Sequence, residues 1–275
     1  MFQLITPAHQ KVITKLVESV STVEVLTIVE NLENIIEQIR TDIPVRKRIS
    51  YGRYSIIKEM GLTMYPLLVK AEINVFDFAA KIFNDPDHYQ FVRSLAVQLI
   101  SIYGLETKEL AKILPVFEAA AANEHWELRE CSVGFAGKLT HRYPREMQKW
   151  YLKMARSENP LQRRFASESL RPVADNRWLK KQPEFALSII KHLFKESRAY
   201  PRTSVGNNLS DWMRIDKERT IKLVKKLAQN GNKDSHWIAY RACRNLVKKE
   251  PVRVMDLLDV DEYKYKDRIY FREDY

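Results

Sequence analysis

Apolar residues recur at three- and four-residue intervals along almost the whole chain, as in VITKLVESV, VLTIVENLENIIEQI, FVRSLAVQLISIY, ALSIIKHLF and IKLVKKLA. That spacing lines one face of an α-helix, whereas the period-2 alternation of a half-buried strand is nearly absent. Short breaks carrying helix punctuation separate the runs, at Thr41–Pro44, Asn84–Pro86, Tyr143–Pro144, Asn159–Pro160, Tyr200–Pro201 and Asn230–Asn232. The pattern predicts an all-α protein of antiparallel helix pairs.

A weak internal repeat emerges when four segments are stacked: WELRECSVGFA from Trp126, LQRRFASESL from Leu161, YPRTSVGNNL from Tyr200 and WIAYRACRNL from Trp237. Each is expected to open a helix. Aligning Arg129, Arg163, Arg202 and Ala239 gives steps of 34, 39 and 37 residues, close to the period of HEAT or tetratricopeptide solenoids, although the tetratricopeptide consensus is not matched. The expected architecture is a right-handed α-solenoid of HEAT-like repeats, with these four segments side by side on the wall of a concave basic groove. Ser132, Gly134, Ala166, Ser167, Ser204 and Gly206 suit close helix packing there. Three regions follow: a helical region over residues 1–123 that extends or caps the solenoid, repeats over 124–250, and a charged, aromatic tail over 251–275.

Charge sharpens this division. The net charge of +11 is distributed as −1 over residues 1–123, +15 over 124–249 and −3 over 250–275. A folded segment with such a surplus attracts polyanions, so DNA, RNA and anionic membrane are candidate partners, against the alternative of a solvated basic face. Cys131 and Cys243 lie far apart, outside any CxxC pair or metal-ligand spacing, so reduced thiols and no metal are expected. The opening residues lack the layout of a secretory signal, and no stretch approaches a membrane span. The expected location is the cytoplasm, on the nucleoid when bound to DNA.

No phosphate-cradling GxxxxGK[ST] or GxGxxG, GxSxG elbow or HExxH occurs, so any chemistry rests on carboxylates. Glu130, Glu168 and Asp211 fall inside the repeated segments beside arginines. Each has a structural alternative: Glu130 favouring a helix N-terminus, Glu168 pairing with Arg164, and Asp211 pairing with a neighbouring lysine. Trp126, one turn before Glu130, offers an aromatic face to a cation, as does Trp237 near Arg241 and Arg244. A tryptophan at helical spacing is more often core. Arg163, Arg164 and Arg202 suit phosphate contact.

The strings HWELRE (from His125), RRFASESLRP (Arg163 to Pro172), PRTSVGNNLSD (Pro201 to Asp211) and HWIAYRACRNLVKK (His236 to Lys249) resemble the HEAT-like-repeat DNA alkylation repair proteins of the AlkC and AlkD superfamily. The resemblance covers roughly residues 120–250 and leans to the AlkC branch. It implies a monofunctional glycosylase that removes cationic alkylated bases, such as 3-methyladenine, from duplex DNA without flipping the base into a pocket. Trp126 and Glu130 match the aromatic and carboxylate of the first motif, Arg163 or Arg164 the backbone-binding arginine, and Glu168 and Asp211 the later acids. Asn207 or Asn208 stands where the AlkD branch has a tryptophan, while the AlkC branch tolerates asparagine.

The resulting expectation assigns the sugar and the attacking water to Glu130 and Asp211, with Glu168 supporting. DNA contacts go to Trp126, Arg163, Arg164, Arg202, Asn207, Asn208, Trp237, Arg241 and Arg244. The protein would act as a monomer, with double-stranded DNA as partner and without cofactor or membrane. Two readings compete with it: a non-catalytic relative that binds damaged or branched DNA, and a HEAT scaffold for an acidic protein.

Overall fold

A computed structural model describes residues 2–85 and 89–264. Every regular element among them is helical, and none is long and apolar enough to cross a membrane. The chain forms two compact units, Met1–Ala136 and Gly137–Tyr275, whose border falls inside one helix.

The first unit holds α1 (Pro7–Ser19), α2 (Val25–Asp42), α3 (Arg53–Lys70), α4 (Val75–Asn84), α5 (Gln90–Thr107), α6 (Leu110–Ala121) and the start of α7 (Trp126–Arg142). Its first helix begins where Thr6 and His9 form a reciprocal capping box and Pro7 supplies a preset φ. The centre of the unit is α5, buried on most of its faces and packed by α3, α4 and α6. Gly61 lets α3 approach: a Cβ there would stand 2.4 Å from Gln98 Cγ on α5.

The second unit stacks two layers. α9 (Pro160–Ser169), α11 (Ala199–Ile215) and α13 (Lys233–Ala242) lie side by side. The other layer consists of α8 (Pro144–Ala155), α10 (Pro183–Ile190), α12 (Lys217–Ala228) and α14 (Pro251–Leu258). In it α8 packs on α9, and α12 on both α11 and α13. Proline at the first helical position starts α8, α9, α10 and α14, and asparagine caps α9 and α13. At Gly206 a Cβ would stand 2.6 Å from Arg241 Cβ, so the bare backbone sets how closely α11 and α13 approach.

The repeat has a local signature at the turns that lead into α7, α9, α11 and α13. The side chains of Asn123, Ser157, Glu196 and Asn230 each accept a hydrogen bond from the backbone N–H two residues on, at 2.9 to 3.1 Å. Six residues after the first two, Arg129 Nη1 donates to the Asn123 and Glu124 carbonyls, and Arg163 Nη1 to those of Ser157 and Glu158. The same position is Arg202 in the third repeat and His236 in the fourth, where His236 Nε2 lies 3.0 Å from Leu258 O. The fourth repeat is thus registered on His236, not on Ala239, and α13 begins at Lys233 rather than Trp237.

Of the residues after 250, Pro251–Leu258 form a helix, and Tyr263 stacks on Tyr240 with ring centroids 4.2 Å apart. The remainder of the expected tail, 265–275, lies outside the described residues, as does Pro86 of the Asn84–Pro86 break. Cys131 and Cys243 are buried free thiols, and burial pushes each up to about 12.

Adjacent repeats are also joined by charge. Arg163 donates through Nε and Nη2 to both carboxylate oxygens of Glu196, at 2.5 and 3.0 Å, with the Glu196 side chain only 4% exposed. Glu196→Ala would leave a largely buried guanidinium without its counter-charge and should destabilise the second unit by about 3 kcal/mol, read as a lower urea midpoint. Replacing both partners by Arg163→Met and Glu196→Leu should recover part of that loss. Equal loss in single and double variants would show that the charge pair is not what the site depends on.

Candidate nucleic-acid interface

Glu168 and Asp211 come together through a residue that sequence reasoning did not single out, Arg171, just past the end of α9. Its Nη1 donates to Glu168 Oε2 at 3.0 Å, and its Nε and Nη2 both reach Asp211 Oδ2 at 2.7 Å. Ser204 Oγ donates to the other Glu168 oxygen at 2.8 Å, and Arg164 Nη2 stands 4.0 Å from it. Arg214 Nη1 stands 4.0 Å from Asp211 Oδ1. The result is an alternating row, Arg164, Glu168, Arg171, Asp211 and Arg214, that runs from α9 to α11.

Burial explains why the row alternates. The Glu168 and Asp211 side chains are 9% and 6% exposed, and a carboxylate removed from water needs a counter-charge or hydrogen bonds to remain ionised. Burial pushes the Glu168 pKa up, but the Arg164 and Arg171 charges and the hydrogen bonds from Arg171 and Ser204 outweigh it and hold the pKa below the usual glutamate value. For Arg171, burial works to lower the pKa, while Glu168 and Asp211 raise it, so the guanidinium stays charged.

Asp211 also borders a cleft of about 300 Å³ whose lining includes Arg177, Lys180 and Arg214. Arg177 and Lys180 come from a 3₁₀ segment, Ala174–Lys181, kinked at Asn176. Both are exposed, and neither has an ion-pair partner among the described residues. None of these three cations was singled out in the sequence, where they are scattered among the surplus lysines and arginines. Their common signal is closeness in sequence to the motif residues Arg171 and Asp211.

The expected DNA contacts divide sharply. Arg163 is committed to Glu196, and Arg202 to Asp234 with its guanidinium 4.7 Å from the Trp237 ring centroid. Both arginines fasten one repeat to the next instead of standing open for phosphates. Asn208 is fully buried and donates to Ser167 O at 2.6 Å, so it joins α11 to α9 and presents nothing to a ligand. Asn207 accepts from Arg241 Nε at 3.1 Å, with both residues buried. Arg164 is also largely buried, its guanidinium over Tyr200 at 4.6 Å. Arg244 is half-buried. Trp126 is 60% exposed at the start of α7, and Glu130 one turn on is half-buried; both belong to the first unit.

The lowered pKa of Glu168 carries a stability consequence. A carboxylate whose folded-state pKa lies below its ordinary value of 4.5 stabilises the fold fully above that value, and the contribution is lost as pH falls through the lower, folded pKa. Glu168→Gln should therefore lower the melting temperature at pH 7 and narrow its gap to the wild type as the solution is acidified through this window. A gap unchanged by pH would show that the charge on Glu168 contributes no stability.

Comparison with known proteins agrees with this architecture. Residues 68–246, more than half of the chain, match the family described as DNA alkylation repair enzyme. No curated protein matches the sequence significantly. Among solved structures, the chain is similar to AlkD2 from Streptococcus mutans, with a TM-score of 0.58 and 20% identity over 77% of this chain and 97% of that one. Smu.31 from Streptococcus mutans UA159 gives 0.56 and 21% over the same shares. The alkylpurine DNA glycosylase AlkC from Pseudomonas fluorescens, solved bound to DNA containing an abasic site analog, gives 0.50 and 18% over 92% of this chain and 66% of that one. With its helix-pair repeats and the family match across both units, this chain belongs to the DNA alkylation repair enzyme family and has the HEAT-like fold of the AlkC and AlkD proteins.

Proposed function

We propose that the protein is a DNA glycosylase that hydrolyses the N-glycosidic bond of cationic alkylated bases, such as 3-methyladenine, in duplex DNA. The observation that carries this reading is the Asp211 carboxylate, held through one oxygen by Arg171 at the edge of a cleft lined by Arg177, Lys180 and Arg214. With Oδ2 occupied by two N–H groups of Arg171, Oδ1 is the atom left to address a substrate.

The chemistry asks little of a general acid. An alkylated purine already carries positive charge, so the C1′–N bond breaks with its electron pair passing to the base, which departs neutral. Positive charge then builds on the sugar, where a fixed carboxylate stabilises it. Water adds at C1′ and gives up a proton to a carboxylate or to solvent, completing hydrolysis. Asp211 takes the carboxylate role in the second unit, with Glu168 supporting it through Arg171, and Glu130 of the first unit is proposed as a further catalytic carboxylate.

One observation favours a second reading, in which the protein binds damaged or branched DNA without cleaving a bond. Glu168 and Asp211 are both tied to Arg171, an arrangement that also serves as a purely internal counter-charge. Release of free methylated base from N-methylated duplex separates the two. The glycosylase reading expects release, reduced at least about 100-fold in Glu130→Gln and Asp211→Asn, with duplex affinity retained. No release, together with tight and salt-sensitive binding, would leave the binding protein in its place.

A further inference from the structure

The cleft beside Asp211 carries more positive charge than its protein surroundings use. Its lining holds three cations, Arg177, Lys180 and Arg214, against one carboxylate, Asp211, which is itself paired with Arg171 at 2.7 Å. Arg214 has a 70% exposed side chain and approaches Asp211 no closer than 4.0 Å. A neighbouring cleft of about 680 Å³, also bordered by Arg214, holds Lys217, Lys248 and Lys249 as well, and there Lys217 pairs with Glu250. What sets the cleft beside Asp211 apart is its position: Arg177 and Lys180, which have no ion-pair partner among the described residues, face it together with the Asp211 carboxylate.

Such a surplus repels the cationic base itself and selects an oxyanion. The remaining lining, Pro172, Val173 and Ile215, is apolar. A tetrahedral anion joined to a carbon framework therefore fits better than an isolated ion: the oxygens meet the cations, and the carbon edge meets the apolar residues. We infer that this cleft is a subsite for one backbone phosphodiester and the deoxyribose attached to it. Arg177, Lys180 and Arg214 take the phosphate, and Asp211 Oδ1 is left beside the sugar. The inference rests on the reading of duplex DNA as the ligand, and it supplies positioning that the carboxylates alone do not provide. A phosphate fixed by three cations sets where the adjoining C1′ can lie.

Binding, not turnover, tests it. The full chain and the double variant Arg177→Ala, Lys180→Ala are titrated with duplexes carrying one neutral methylphosphonate, moved position by position along the strand. The altered residues are exposed, and thermal melting checks that the variant folds. The wild type should lose at least about fivefold affinity at one position, and the variant should lose nothing further there while keeping the penalties elsewhere. The variant's salt slope on unmodified duplex should be shallower by about one. Penalties in the variant equal to those of the wild type at every position would overturn the subsite. So would saturable binding of inorganic phosphate that disappears in the variant while no methylphosphonate position stands out, which would assign the cleft to a free anion. If base release fails but the position-specific loss appears, the glycosylase reading falls and the phosphate subsite stands.

Discussion

Arg171 lies between two carboxylates that the fold has nearly removed from water, and it ties α9 to α11 by meeting their charge. Glu168 is on α9 and Asp211 on α11, so one guanidinium placed just after α9 joins the two helices at their polar face. Deleting one member of such a set costs more than the set contributes, because the charges left behind stay buried. The same logic recurs along the repeats at Arg163 with Glu196 and at Arg202 with Asp234, each bond linking one repeat to the next. Charge in this unit is first a means of registering helices, and only the surplus is available to a ligand.

That hierarchy explains where sequence reading succeeded and where it misplaced residues. The helices were legible because their apolar spacing and their Asn and Pro starts are local signals, as at Asn159–Pro160. The repeat was legible through Arg129, Arg163 and Arg202, but its fourth member is His236, a different residue type, which drew the alignment to Ala239. What the arginines do was not legible. A guanidinium bonded to an acid one repeat later looks, in sequence, the same as one facing a phosphate, since the partners Glu196 and Asp234 lie more than thirty residues away.

Arg171 was hidden for a related reason: it follows the helix, next to Pro172, and its importance depends wholly on Asp211, forty residues on. Glu168 and Asp211 were found because they fall within recurring motifs, yet sequence could not tell that they share one counter-ion. The cations of the adjoining cleft, Arg177, Lys180 and Arg214, come from a kinked 3₁₀ segment and the end of α11. Neither feature carries a periodic signal, so only the folded backbone brings them together.

In the proposed glycosylase, the Asp211 carboxylate held by Arg171 meets positive charge developing on a sugar. The most direct measurement compares affinity for two duplexes that differ at one residue, a cationic ring-nitrogen mimic of the sugar in one and a neutral abasic analogue in the other. The cationic mimic should bind at least about tenfold more tightly, with the preference lost in Asp211→Asn. Equal affinity for the two duplexes, in wild type and variant alike, would contradict it.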